Sequence, residues 1–241
     1  MKKILFSLLA LVASMSINAQ VMKVMKGETV VATYTAEQAD KVVFEEAQAP
    51  VTTGSTGTAK ATIGGSEVDV KWVQLWAGGP KFAEYNVGVT DGKAESYGGY
   101  YCWGSSIDKD SNAAHKSGSD ALTGDDDTAA KLWGSAWRMP TQAELVALLA
   151  NCDVVWTTVN GVNGRKYTGK GDYASNSVFL PAAGGCYNGD IIGLGNYGYY
   201  WSSTPGGGNN AYFLYFDSGE QNVYSYYRGY GYSVRAVLAV K

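Results

Sequence analysis

The chain has 241 residues, 46% hydrophobic and 17% charged. That apolar share and charge density are those of a folded protein, so wholesale disorder is excluded. A formal charge of −3 argues against a large basic footprint for nucleic acid. His115 is the only histidine, so no site needing two histidines exists, and any Ser-His-Asp or Cys-His arrangement would rest on that one residue.

Lys2 and Lys3 precede an apolar run, Ile4–Val12, and small or polar residues follow to Ala19. Ile17 and Ala19 stand at minus three and minus one of a cleavage before Gln20, so residues 1–19 read as a secretory signal peptide. The run is short for a bilayer span. Its removal takes away two lysines and no acid, which moves the formal charge from −3 to −5. The mature chain is then expected to carry no membrane span and to be exported: periplasmic, secreted or held at the cell surface. Export permits disulfides, but Cys102, Cys152 and Cys186 are odd in number. No CxxC pair supports zinc. Cys102 and Cys152 read as buried thiols, with a 102–152 bridge as the alternative, and Cys186 reads as exposed in a Gly-rich turn.

Residues 20–46 read as a small β module. Val21–Met25 and Thr29–Tyr34 flank Lys26-Gly27, a hairpin signal, and a third run follows at Lys41–Phe44. Residues 47–62, AQAPVTTGSTGTAKAT, are small and polar without periodicity and read as a linker. The main domain is expected over 63–241. Its first strands are Val70–Leu75 and Phe82–Val87, followed by an aromatic, glycine-punctuated stretch at Tyr97–Gly104 and a polar loop over 105–127. Asp127 or Thr128 caps a short helix, Ala129–Trp133, which Gly134 stops. Thr141 and Glu144 make a capping box after Pro140. Leu145, Val146, Leu148 and Leu149 give the next helix its apolar face. Val154–Val159, Lys166–Thr168 and Ser177–Leu180 read as strands, with Asn160-Gly161 and Asn163-Gly164 as turns.

Composition changes after residue 186. Between Tyr187 and Tyr232 there are eleven Tyr, ten Gly, five Asn and no Lys. Tyr gives large, rigid, amphipathic contact area, and Ser, Gly and Asn give adaptable polar contacts, as binding surfaces require. Tyr is also a good strand residue. In Ala211–Asp217 the alternation sets Tyr212, Leu214 and Phe216 on one face, read as core, and Phe213, Tyr215 and Asp217 on the other, read as surface. Five tyrosines then crowd Val223–Tyr232, more than one buried face accommodates.

Seven stretches resemble the Fibrobacter-type major paralogous domain family, in family order over roughly 170 residues. They are WVQLWAGGPKFAEYNVG (72–88), YGGYYCWG (97–104), LWGSAWRMPTQAEL (132–145), WTTVNGVNGRKYTG (156–169), SVFLPAAGG (177–185), YYWSST (199–204) and SVRAV (233–237). The resemblance implies an α+β, C-type-lectin-like domain with a small twisted antiparallel sheet, two short helices and long loops. It also connects the chain to the formylglycine-generating-enzyme branch and to the variable proteins of diversity-generating retroelements. Those systems randomise adenine-containing codons, whose products include Asn, Tyr, Ser, Gly, Asp and Phe. The implied binding residues are Tyr187, Asn188, Asn196, Asn209, Asn210, Phe213, Tyr215, Tyr224, Tyr226, Tyr227, Tyr230 and Tyr232. They lie among landmarks Trp201, Leu214, Phe216, Val223, Arg228, Gly231 and Val234.

Chemistry is weakly signalled. Formylglycine-generating enzymes need C-terminal cysteines, and none follows Cys186. Asp125-Asp126-Asp127 lacks the spacing of a calcium loop and reads as a solvated loop and helix cap. The EPN, QPD and WND signatures of calcium-dependent lectins are missing. Asp190, Asp217 and Glu220 are carboxylates that could pair as in glycosidases, without a spacing that demands it. His115 reads as a solvated loop residue, and Arg138 and Arg235 as structural. The expectation is therefore a non-catalytic recognition protein with no metal or cofactor, binding a protein or a glycan. The alternatives are a divergent formylglycine-generating-type enzyme or hydrolase, and a structural or adhesive surface component.

Overall fold

A computed structural model describes residues 21–26, 29–35, 55–109 and 115–239. The expected signal peptide, the run at 41–44 and the first part of the expected linker lie outside these. The chain divides into two units, 1–47 and 48–241. In the first, β1 (Val21–Lys26) pairs antiparallel with β2 (Thr29–Thr35), and the register shifts between Val24 and Met25. The expected hairpin forms there.

The second unit begins earlier than the sequence indicated. β3 (Thr56–Ile63) takes up the last seven residues of the expected linker and pairs along its length with β4 (Ser66–Gln74). Its small residues have a packing reason. Gly57 lies under the Trp72 ring, where a Cβ would come within 2.6 Å of the indole, and Ala61 is buried in the core. β5 is short (Lys81–Ala83), because Arg235 takes the carbonyls of Ala83 and Glu84 where the expected strand to Val87 would continue. With β15 (Val237–Leu238) and β6 (Trp137–Arg138) these strands form one sheet in the order β3-β4-β5-β15-β6. The sheet curls: Trp137 Nε1 on one edge donates to the Lys60 carbonyl on the other at 2.8 Å.

Helix α1 (Thr128–Trp133) is capped by Asp127, whose carboxylate accepts from the N–H groups of Ala129, Ala130 and Met139. Gly134 ends it at φ +97°. Helix α2 (Gln142–Asn151) starts on the full Thr141/Glu144 capping box. Leu145 and Leu148 are buried, whereas Val146, expected on the core face, is exposed. Arg138 grips the Glu144 carboxylate with two bonds of 2.6 and 2.8 Å. Burial alone would raise the Glu144 carboxyl. The Arg138 guanidinium and the Thr141 N–H outweigh it and hold the group below its ordinary value. A depressed carboxyl stabilises above its unfolded pKa of about 4.5, and that contribution is lost as pH falls through the folded value. Glu144→Gln is therefore expected to cost about 1–2 kcal/mol at pH 7 and progressively less as pH falls through the folded value of the Glu144 carboxyl. Urea unfolding of both chains over a series of falling pH values checks this, and a loss independent of pH would refute it.

β7 (Asp153–Val159), β8 (Val162–Thr168) and β9 (Ser177–Pro181) form an antiparallel sheet. Asn160-Gly161, both at positive φ, makes its first turn. Asn163-Gly164 is no turn. Both lie in β8, where Gly164 faces Thr157 and Pro181, and a Cβ there would strike the Leu180 carbonyl.

β10 (Gly185–Tyr187) and β11 (Asp190–Ile192) make a small hairpin. The last sheet is β12 (Gly198–Pro205), β13 (Asn210–Phe216) and β14 (Gln221–Tyr227), in that order. The class is mixed α and β with two short helices among the described residues, and the antiparallel sheet is divided among several pieces. No helix of the described residues is long and apolar enough to cross a membrane.

All three cysteines are buried thiols. Cys186 was expected to be exposed. It is enclosed because its backbone exchanges both hydrogen bonds with Gly231, whose missing Cβ allows the approach.

Candidate binding surface

The strand alternation of β12–β14 separates two faces. Tyr200, Leu214, Phe216 and Val223 point toward α2 and join Leu145, Leu148, Leu75, Phe82 and Val237 in one core cluster. The other face is aromatic. Tyr199 stands opposite Tyr215, Trp201 opposite Phe213, and Phe213 opposite Tyr224. Residues 231–233 cross this face as a strap. Tyr232 is bridged to Tyr101, and Ser233 to Tyr200. The Tyr232 ring lies 4.4 Å from Trp201, 4.9 Å from Tyr199 and 5.0 Å from Phe213.

Phe213 and Tyr232, both expected as contact residues, are therefore floor rather than surface, at 5% and 4% exposure. Tyr212, expected as core, is half-buried. Tyr187, Tyr224, Tyr226 and Tyr227 are exposed, and Tyr215 and Tyr230 are half-buried. Tyr187 stacks on Tyr230 at 4.8 Å, and Tyr230 meets Tyr226 edge-on at 5.3 Å. Tyr227 packs edge-on against His115 at 5.3 Å, so His115 is half-buried rather than solvated. Among the expected asparagines, Asn188 forms the β10–β11 turn at φ +50°, and Asn196 is exposed in the loop before β12. Asn209 and Asn210 lie at the far end of β13, where their carbonyls receive Arg228 through its backbone N–H and its Nε. Arg228 is itself buried against the Trp103 ring, 4.2 Å from its centroid.

The sequence reading missed part of this surface. Ile191, Ile192, Leu194 and Tyr197 are all exposed beside the tyrosines. Two adjacent exposed isoleucines after the Asn188-Gly189 turn were the available signal, since a strand of three residues shows no alternation. A shallow groove of about 240 Å³ is lined by Gly185, Ile192, Tyr199, Phe213, Tyr226, Tyr230 and Tyr232. No charged side chain lines it. Gly185 faces it next to Tyr232, 3.0 Å from the place a Cβ would take.

Asp217 accepts the Tyr215 hydroxyl at 2.8 Å and the N–H groups of Gly219 and Glu220. Those N–H groups, foremost that of Glu220, hold its carboxyl below the ordinary range. Such a carboxylate is an acceptor at neutral pH, not a proton donor. Burial pushes the Cys186 thiol up and the Cys152 thiol to about 11, opposite to what a nucleophile needs. No group of three or more His, Cys, Asp or Glu among the described residues could hold a metal.

A family model, described as a domain of unknown function (DUF8237), matches residues 153–237. The match begins at β7 and takes in all twelve of the expected contact residues. No curated protein and no solved structure matches the chain.

Proposed function

We propose that this chain is an exported, non-catalytic recognition protein with a C-type-lectin-like fold, which binds its target through the aromatic face of β12–β14 and the β10–β11 hairpin. One observation carries this reading. Among the described residues, eight of the eleven exposed large apolar side chains lie between Tyr187 and Tyr227. Scattered exposed apolar residues are ordinary, whereas a contiguous patch marks a contact site. Rigid tyrosines around a small groove are the arrangement that yields binding hot spots. Export rests on the N-terminal Lys2–Ala19 pattern.

Diversification of the face by a retroelement belongs to the same proposal. Landmarks Trp201, Leu214, Phe216, Arg228 and Val234 are fully buried, whereas Tyr224, Tyr226 and Tyr227 are exposed. Variation at the exposed positions would leave the scaffold alone. Reading the DNA beside the gene tests this: a reverse transcriptase and a near-copy of the segment for 187–237 differing at adenines are expected. Finding neither removes the diversification and leaves the binding face. The binding face is tested by probing glycan and peptide arrays with the full chain. Probes retained by the wild type are expected to be released by Tyr226→Ala with Tyr230→Ala.

A further inference from the structure

Five tyrosine rings form a continuous row across the face. Tyr215 lies 5.5 Å from Tyr199, Tyr199 4.9 Å from Tyr232, Tyr232 6.0 Å from Tyr230, and Tyr230 4.8 Å from Tyr187. A carboxylate stands at each end. Asp217 is bonded to the Tyr215 hydroxyl, and Asp190 lies directly opposite Tyr187 in the hairpin. No Lys or Arg occurs between residues 171 and 227, and Arg228 is buried. The nearby cations are engaged elsewhere: Lys116 pairs with Asp126 at 2.6 Å, Lys109 lies over the Tyr100 ring, and Arg165, buried, donates to the backbone carbonyls of Asp217 and Glu220. The face thus offers π surfaces, exposed aliphatic side chains at Ile191, Ile192 and Leu194, and a carboxylate at each of its two ends.

We infer that the partner is a protein segment that presents two cationic side chains flanking an apolar stretch, laid along the tyrosine row with one cation at Asp217 and the other at Asp190. This rests on the binding reading above and names its partner. A saccharide fits less well, because the groove is lined by rings, Ile192 and Gly185, with hydroxyls of tyrosine as its only side-chain polar groups. Lys and Arg gain from tyrosine faces as well as from the end carboxylates. The row measures no more than about 21 Å, which is roughly six residues of extended chain at ~3.3 Å each. The two cations are therefore five to seven residues apart.

The test is fluorescence anisotropy of the full chain with synthetic peptides. One peptide carries two Lys six residues apart around a Leu/Phe stretch, a second has both Lys replaced by Gln, and a third by Glu. The Lys peptide is expected to bind at least tenfold tighter than the Gln peptide and to lose most of that advantage between 0.05 and 0.5 M salt. Asp190→Asn is expected to weaken the Lys peptide severalfold and leave the Gln peptide unchanged. Tyr226→Ala with Tyr230→Ala is expected to weaken both. Equal binding of the Lys and Gln peptides overturns the cationic partner and leaves the aromatic binding face standing. Tyr-dependent retention of a glycan with no peptide bound overturns it in favour of a saccharide. A chain that self-associates through this face overturns it in favour of a second copy. Binding of nothing in a Tyr-dependent manner removes both this inference and the reading beneath it.

Discussion

Arg235→Met is expected to lower the free energy of unfolding by roughly 3–5 kcal/mol. The guanidinium is almost fully enclosed and, among the described residues, forms no salt bridge with a carboxylate. It is held instead by four acceptors: Asn86 Oδ1 at 2.9 Å and the carbonyls of Ala83 at 3.0 Å, Glu84 at 2.7 Å and Phe179 at 2.9 Å. Burial pushes its pKa down to about 10, so it stays charged at neutral pH. The bonds tie the end of β5 to β9, and thereby join two separate sheets. Methionine keeps the length of the side chain but leaves all four acceptors dry. Lysine keeps the charge without the planar fork and cannot reach four divergent acceptors, so Arg235→Lys is expected to recover only part of the loss. Urea unfolding of the three chains decides the matter. A drop below about 1 kcal/mol for the methionine variant would mean that water or backbone movement satisfies the acceptors.

The elements that a sequence states locally were legible. The Thr141/Glu144 box, the Asp127 cap, the Gly134 stop and the Asn160-Gly161 turn each depend on residues within four positions of one another. What was illegible depends on distant partners. Thr56–Thr62 has no large apolar alternation and reads as linker, but Gly57 and Ala61 are small because Trp72 and the core occupy the space beside them. Asn163-Gly164 has turn chemistry but lies in the middle strand of a sheet, where β9 leaves room only for glycine.

The candidate site divides the same way. That the tail is a surface rich in tyrosine was readable from composition, because too many rings occur for one interior. Which rings form floor and which form rim was not. Alternation placed Phe213 outward, and it does point to that face. The strap at residues 231–233 then covers it, and only the bridges Tyr101–Tyr232 and Tyr200–Ser233 reveal this. A strap arriving from elsewhere in the chain leaves no periodic trace in the strand it covers.

Floor and rim are expected to respond oppositely to truncation. Tyr224, Tyr226 and Tyr227 are each 42–51% exposed. Replacing all three with alanine removes contact area that water already reaches, so the melting temperature is expected to fall by only a few degrees. Binding to the strongest array probe is expected to fall at least a hundredfold, about 2.7 kcal/mol, since a few aromatic anchors dominate such surfaces. Phe213→Ala and Tyr232→Ala are expected to do the reverse at first sight and lose 3–5 kcal/mol of stability. Phe213 packs on Trp201 at 5.8 Å and on Tyr232, so its loss opens a cavity beneath the groove. Any loss of binding in Phe213→Ala, whose ring lies outside the tyrosine row, should track the fraction unfolded, and it should recover in the cold where the fold is intact. In the rim variant no temperature should restore it. If the triple rim variant instead melts as early as Phe213→Ala while its residual folded fraction binds normally, the exposed tyrosines serve the sheet and not a partner, and the aromatic face is structural.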